Sequence, residues 1–443
     1  MLYKKTLLLL ILAFFVFTTL FDGGCTKKPQ GNTPVEESFS TAPITTKVSK
    51  DLSAYQREFT EFQDYSQYLS NLNSVNELVC YGNIALLNAG IEMASKEHPQ
   101  AVVHYTNMFI IDLKSHKIIR TIKYDKEDGF NNVFPYGINE NWIVYQENDD
   151  DEFNPNFVFY AINRKTNETK KLIERRRGHD DFFTKGELVP SNTGLRIESP
   201  QGILRGNKFY FKIYLTADKV DEKGGIPAIS DSIYEVDLNT GNIKKIIHIT
   251  EKYGGIATFS VNDHYLAYCL AKRDFEKERL VEDIYLYSLE NGKLSKFTDN
   301  GVCENPRLTE DNWIIYQVWL PEALSSDATV FAKSMGKPAF YNIIRPINKE
   351  KPVLKVSAVG TADNPYPIYP TCTDISPDGR FIFFEEPFRL LDRKTNTLIT
   401  LKGVPSTRLH CFADENTLVN FWVVDKRVGL LIIDISKLLK LSN

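Results

Sequence analysis

Histidine and cysteine are scarce in this chain, seven and six among 443 residues. The histidines (His98, His104, His116, His179, His248, His264 and His410) are dispersed. None stands four residues from another or with a partner carboxylate at ligand spacing, so no histidine-built metal centre is signalled. No two cysteines have the Cys-x-x-Cys spacing of a zinc ribbon or redox dithiol. A Gly-x-Ser-x-Gly elbow is absent too, so no serine-hydrolase nucleophile is signalled. No cofactor is implied. There is also no basic excess. The net charge is −4, and removing residues 1–24, which carry Lys4, Lys5 and Asp22, leaves −5. Nothing here draws the protein to nucleic acid.

Short β-rich runs are abundant instead, each entered through a polar or glycine turn. Gly82-Asn83, Asn139-Glu140-Asn141, Gly206-Asn207-Lys208 and Asn262-Asp263-His264 precede four of them. Glu310-Asp311-Asn312, Asp378-Gly379 and Asp414-Glu415-Asn416 precede three more. Asn, Asp and Gly tolerate the positive φ of tight hairpins, which is why they gather at these points. A second turn follows each run, at 112–117, 163–167, 237–241, 288–292, 348–351, 392–396 and 434–436. Alternation at period two between the turns marks strands. Two hairpins per repeat make a four-stranded antiparallel unit that cannot cover both its own faces. The expectation is an all-β fold, a β-propeller of seven four-stranded blades over 75–443. Six or eight blades, or a pair of stacked sheets, are the alternatives. After residue 401 one blade's worth of chain follows, and the second domain of a propeller peptidase is not expected.

The clearest copy, Ser376-Pro377-Asp378-Gly379 followed by the apolar run 381–384, resembles the TolB-type propeller repeat. The other copies keep the turn chemistry but not the letters. The resemblance implies the fold and no particular activity.

The N-terminus has a different character. Lys4 and Lys5 precede an almost unbroken apolar run over 6–21, and Gly23-Gly24-Cys25 follows. This order reads as a signal peptide over 1–24. Small residues before a lone cysteine resemble the bacterial lipoprotein cleavage box. That resemblance implies lipid on Cys25 and an extracytoplasmic protein anchored to a bacterial membrane. The apolar run is short for a span, which takes roughly 20 residues. Residues 25–50 are rich in Thr, Ser, Pro, Gly and Lys and read as a flexible tether. In 51–72, Leu52, Tyr55, Phe59, Phe62, Leu69 and Leu72 fall near helical spacing, with Asp51 as a plausible N-cap. A short helix that docks on the propeller is expected there.

Candidate binding residues sit in the insertions. Tyr366 and Tyr369 stand among prolines in 363–370, and Trp319 ends a strand. Such aromatics can stack on a sugar or hold a peptide; packing against neighbouring loops is the plainer reading. Asp149, Asp151 and Asn154 lie in an acidic turn whose oxygens suit calcium, although the spaced EF-hand pattern is missing. The basic run 174–178 and His179 beside Asp180-Asp181 read as solvated loops before they read as sites. Five cysteines beyond Cys25 read as buried thiols. One alternative is a disulfide between Cys80 and Cys411, which hold similar places in the first and last blades. No catalytic constellation is visible. The first reading is therefore a tethered binding module for an envelope protein, peptide or glycan. The second is a polysaccharide lyase or hydrolase with its site over the channel.

Overall fold

The fold is taken from a computed structural model that describes residues 41–51, 60–64, 74–94, 102–126, 129–149, 156–176, 195–197, 201–217, 221–222, 227–276, 279–320, 340–348, 353–357, 371–385, 388–403, 409–424 and 427–441. Two strands come first, β1 (Thr45–Asp51) and β2 (Thr60–Asp64). Seven sheets then follow in chain order. Blade 1 is β3 (Ser74–Tyr81), β4 (Ile84–Ala94), β5 (Val102–Asp112) and β6 (Lys117–Ile122). Blade 2 is β7 (Asn132–Ile138), β8 (Trp142–Asn148), β9 (Phe157–Asn163) and β10 (Thr169–Arg175). In blade 3 the first strand is in two pieces, β11 (Leu195–Ile197) and β12 (Gln201–Arg205), both paired with β13 (Lys208–Ala217); β14 (Ala228–Asp237) and β15 (Ile243–Ile249) complete it. Blade 4 is β16 (Gly254–Val261), β17 (Tyr265–Asp274), β18 (Arg279–Ser288) and β19 (Leu294–Lys296). Blade 5 is β20 (Cys303–Leu308), β21 (Trp313–Trp319), β22 (Phe340–Pro346) and β23 (Leu354–Ser357). Blade 6 is β24 (Thr371–Ile375), β25 (Phe381–Glu385), β26 (Arg389–Asp392) and β27 (Thr397–Lys402), with β1 parallel on its outer edge. Blade 7 takes β28 (His410–Phe412), β29 (Thr417–Val424) and β30 (Arg427–Asp434) from the C-terminal end and β2 from the N-terminal end.

The apolar faces of these sheets meet in pairs. One hydrophobic core lies between each two successive blades: 1 and 2, 2 and 3, 3 and 4, 4 and 5, 5 and 6, 6 and 7, and 7 and 1. The last closes the circle, with Ala85 and Leu87 of blade 1 against Val419 and Leu430 of blade 7. This is a closed seven-bladed β-propeller. The expected blade count and the turn phase both hold. One hydrogen bond recurs in every blade, from the residue after the third strand to the turn between the first two. It is Leu113 N–H to Asn83 O at 2.7 Å in blade 1 and Ile435 N–H to Asn416 O at 2.8 Å in blade 7.

The turn residues act as their chemistry requires. Asp112, Asn163 and Asp237 each accept two backbone N–H bonds through Oδ1, closing the turn between third and fourth strands. In the Ser-Pro-Asp-Gly turn, Ser376 Oγ donates to Asp378 at 2.6 Å and accepts from Phe381 N–H at 2.8 Å. Gly379 sits there at φ +72°, and a Cβ on it would stand 2.9 Å from an Asp311 oxygen.

Side chains also tie one blade to the next. The backbone of Val133 on β7 accepts from Asn88 Nδ2 and donates to Thr106 Oγ1 at 3.4 Å, both on blade 1. In the same way Ile256 on β16 accepts from Lys212 Nζ and donates to Asp231 Oδ2, both at 2.7 Å, and both partners are on blade 3. Cys303 O on β20 accepts from Cys269 Sγ of blade 4 at 3.7 Å. These contacts matter because the innermost strands are sheet edges, whose outward backbone groups have no ladder partner, and many are bulged as well. Register shifts at Val75/Glu77, Pro135/Gly137, Ile256/Thr258, Glu304/Arg307 and Cys372/Asp374 break five of the inner ladders. A bulge leaves backbone groups outside the ladder, and buried groups of that kind need other partners.

Three expectations are corrected. The segment 51–72 does not fold as one helix: Thr60–Asp64 is β2, antiparallel to β30 from Thr60↔Ile433 to Asp64↔Gly429. An unpaired outer edge on blade 7 outweighs a modest helical periodicity, since a strand there satisfies a whole row of backbone groups. The remainder of 51–72 beyond Asp51 lies outside the described residues. The turn expected at 434–436 does not lead into a strand either. Asp434 accepts from Ser436 Oγ and Lys437 N–H and starts the helix α1 (Ile435–Leu441), which sets Ile435 and Leu438 against the core between blades 6 and 7. The part of the expected tether from Thr41 onward also belongs to the ring: Ala42 N–H bonds Val353 O at 2.9 Å, and β1 pairs with β27.

The chain should therefore tolerate loss of residues 1–51 better than loss of residues 1–64. The shorter deletion should keep a single cooperative urea transition. The longer one, which strips β2 from β30, should lower the midpoint and promote aggregation through the bared edge. Equal midpoints would show that β2 does not close the ring.

Candidate functional site

Alternating strand directions give the ring two unlike faces. Turns between first and second strands, and between third and fourth, all emerge on one face. The strand ends that border every remaining connection, including those on either side of 149–156, 177–194, 218–227, 320–339 and 358–370, lie on the other face.

The turn face is laced from blade to blade. Asn139 Nδ2 donates to Gly206 O at 2.7 Å, and Trp142 Nε1 to Asn207 Oδ1 at 3.0 Å. Arg205 of blade 3 donates to Asp263 of blade 4 at 2.9 Å and also reaches Glu310 of blade 5. Asn262 Nδ2 donates to Thr309 O at 2.7 Å, Arg393 of blade 6 pairs with Asp311 of blade 5 at 2.6 Å, and Gly82 N–H bonds Ala413 O. A groove of about 360 Å³ lined by Tyr265, Leu286, Ser288, Lys293, Phe297 and Ile347 opens on the same side, between the outer part of blade 4 and the end of β22 in blade 5.

Two carboxyls with raised pKa meet toward the loop face. Glu282, near the start of β18, and Glu304, near the start of β20, meet across the seam between blades 4 and 5. The backbones join there, Glu282 N–H to Gly301 O at 3.1 Å. Burial pushes the Glu282 carboxyl up to about 7, and the Glu304 carboxyl beside it adds to the rise. Glu304 is raised too, first by burial. Two half-buried carboxyls in contact hold a proton between them that neither would keep in water. Trp319 at the end of β21 packs on the Phe340 ring at 5.2 Å, and its indole N–H is buried beside Glu304 without a well-formed hydrogen bond. The buried Cys269 thiol lies beneath the pair and is pushed well up, mainly by burial.

Two further acids belong to innermost strands. Asp374 on β24 is pushed up to about 6 by burial, against the opposing pull of the Phe412 and Ile375 N–H groups and of Arg307. Glu77 on β3 is pushed up to about 7 by the surrounding protein. Its side chain nevertheless stays open to water, so no stability cost is ascribed to it.

The residues singled out from sequence fare unevenly. Cys25, Asp151, Asn154, His179, Tyr366 and Tyr369 lie outside the described residues. The strand ends that flank the tyrosines, Ser357 and Thr371, are at the loop-face ends of β23 and β24. Trp319 is at the loop-face end of its strand, half-buried. Asp149 is engaged by Asn156, whose N–H and Nδ2 donate to its two oxygens at 3.1 and 2.6 Å. Among the described residues no group of three or more His, Cys, Asp or Glu could hold a metal. The basic run is not a solvated patch: Arg175 is 1% exposed, and Arg176 pairs with Glu174 at 2.9 Å and covers the Phe130 ring. The Glu282–Glu304 pair has no sequence spacing to announce it, since its members are on different blades.

No protein-family profile matches the chain, and comparison with curated proteins finds no match. Solved structures do resemble it. The β-propeller domain of the trilobed protease from Pyrococcus furiosus is 12% identical with a TM-score of 0.47, over 81% of this chain and 92% of that one. Oligogalacturonate lyase from Vibrio parahaemolyticus is 10% identical with a TM-score of 0.47, over 84% and 96%. Acylaminoacyl peptidase from Pyrococcus horikoshii is 11% identical with a TM-score of 0.49, over 84% of this chain and 53% of that one. Likeness at this level carries no argument about activity.

The carboxyl pair makes stability depend on pH. Between about pH 4.5 and 7 the folded protein holds a proton at Glu282 that the unfolded chain has released. Unfolding free energy therefore falls as pH rises through this window and then levels off. Glu282→Gln should flatten that slope, raising stability at pH 8 by about 1–2 kcal/mol while leaving pH 5 little changed. Urea unfolding at the two pH values checks this; an equal effect at both would mean the pair shares no proton.

Proposed function

We propose that this protein is a binding module: a seven-bladed propeller held outside a bacterial membrane by lipid on Cys25, taking an envelope protein, peptide or glycan on its loop face. The observation that carries this reading is the contrast between the faces. The turn face spends its polar groups on its own neighbours, whereas every long connection belongs to the other face. A ring that holds such connections by both ends can present them at little entropic cost. The order Lys4-Lys5, apolar run, Gly23-Gly24-Cys25 supports the address. The Cys80–Cys411 disulfide supports it independently, because such bonds persist in oxidising compartments.

A second reading, an enzyme acting on polysaccharide, has one observation in its favour. Glu282 and Glu304 are a coupled carboxyl pair at the loop-face end of a seam, with a tryptophan beside them, and an acid held protonated near neutral pH is what glycosidic bond cleavage uses.

Cys25→Ala should move the protein out of the membrane fraction or block its processing; an unchanged membrane fraction with residues 1–24 intact would point to a retained anchor instead. Tyr366→Ala and Tyr369→Ala should weaken capture of envelope material by at least several-fold at unchanged melting temperature. Cleavage of a polysaccharide by the purified protein, abolished by Glu282→Gln, would replace the binding reading with the enzymatic one.

A further inference from the structure

At every seam the polypeptide crosses from the last strand of one blade to the first strand of the next. Blade 7 is different within itself. Its last strand, β2, comes from the other end of the chain and is joined to the rest of the blade only through its ladder with β30. The ring therefore has one place where continuity rests on non-covalent pairing.

Cysteines occur in pairs at two seams, and their states differ. Cys269 and Cys303 face one another between blades 4 and 5, 0% and 1% exposed, and remain thiols. Cys80 on β3 and Cys411 on β28 face one another between blades 7 and 1, both 8% exposed, with Cα atoms 6.0 Å apart, and form a disulfide. Both are on innermost strands, so the bond joins the channel wall while β2 joins the rim. The disulfide ties β3 to β28, so it spans the β2–β30 ladder and closes the ring covalently around it.

We propose that the Cys80–Cys411 disulfide is a redox lock on ring closure. Blade 7 docks on blade 1 and brings the two thiols together. An oxidised dithiol partner then accepts their hydrogens by thiol–disulfide exchange: one thiolate attacks the partner's disulfide, the second resolves the mixed disulfide, and the partner leaves as a dithiol. Two thiols and one disulfide go in, and one disulfide and two thiols come out. Placing this step outside the cytoplasm rests on the exported reading above; the lock itself does not. Reduction returns ring closure to the β2–β30 ladder alone.

Hydrogen exchange on the full-length protein, with and without a phosphine reductant, tests the lock. Reduction should speed exchange at least roughly tenfold in β2, β28 and β30 while β17 and β18 keep their protection. A Cys80→Ser/Cys411→Ser double variant should show the fast seam in both conditions. If that variant fails to fold, titrating the reductant on the native protein gives the same comparison. Seam exchange indifferent to reductant overturns the proposal, as does acceleration spread evenly over all blades. Alkylation of both cysteines in denaturant without prior reduction, in protein taken from the oxidising side of the membrane, overturns it as well. A linked Cys80–Cys411 peptide that forms only when protein recovered from the cytoplasm is oxidised would leave the lock standing and remove the exported reading.

Discussion

A four-stranded sheet that is apolar on both faces cannot be stable by itself. Each blade must be covered twice, and the arrangement that gives every blade two neighbours is a closed circle. The other features follow from that constraint. Seven cores lie between seven sheets, and the first and last blades supply one of them through Val419, Leu430, Ala85 and Leu87. The chain ends meet because the last blade is completed by β2. A disulfide across 331 residues of sequence removes much conformational freedom from the unfolded chain, on the order of 5 kcal/mol in the chain-entropy account.

Closing the circle also leaves the innermost strand of each blade as a sheet edge facing its neighbour. Polar side chains buried at the seams satisfy backbone groups on such edges. Lys212 is an unusual residue for a sheet interior, yet its Nζ bonds Ile256 O at 2.7 Å and stands 4.0 Å from Asp231. Asn88 and Thr106 do the same for Val133 without charge. These residues sit where an apolar side chain would leave backbone groups of the next blade unsatisfied, at about 1–3 kcal/mol each. The turn face repeats the pattern at the surface, which leaves the opposite face for the long insertions and the Glu282–Glu304 pair.

The fold was legible because its signals are local. Turn chemistry at Gly82, Gly206, Gly379 and Asn312 is dictated by positive φ at those positions, and the strands between them alternate at period two. The three segments read differently, the end of the tether, 51–72 and 434–436, are those whose structure depends on partners far away in sequence. Phe62 and its neighbours follow a helical period, but the open edge of β30 is a stronger influence than propensity. The site was less legible for the same reason. Glu282 and Glu304 acquire their character from burial and from each other, and neither is visible before blades 4 and 5 are placed side by side. Arg175 was unreadable in the same way, since a run of arginines gives no sign that one of them is turned into a seam.

The central claim is that the seven blades stand or fall as one ring. Native-state hydrogen exchange in increasing urea, on the oxidised full-length protein, tests it directly by comparing β17 in blade 4 with β29 in blade 7. The account predicts that the slowest amides of both strands merge into a single unfolding transition with one midpoint. Blade 7 opening at distinctly lower urea while blade 4 stays protected would contradict it.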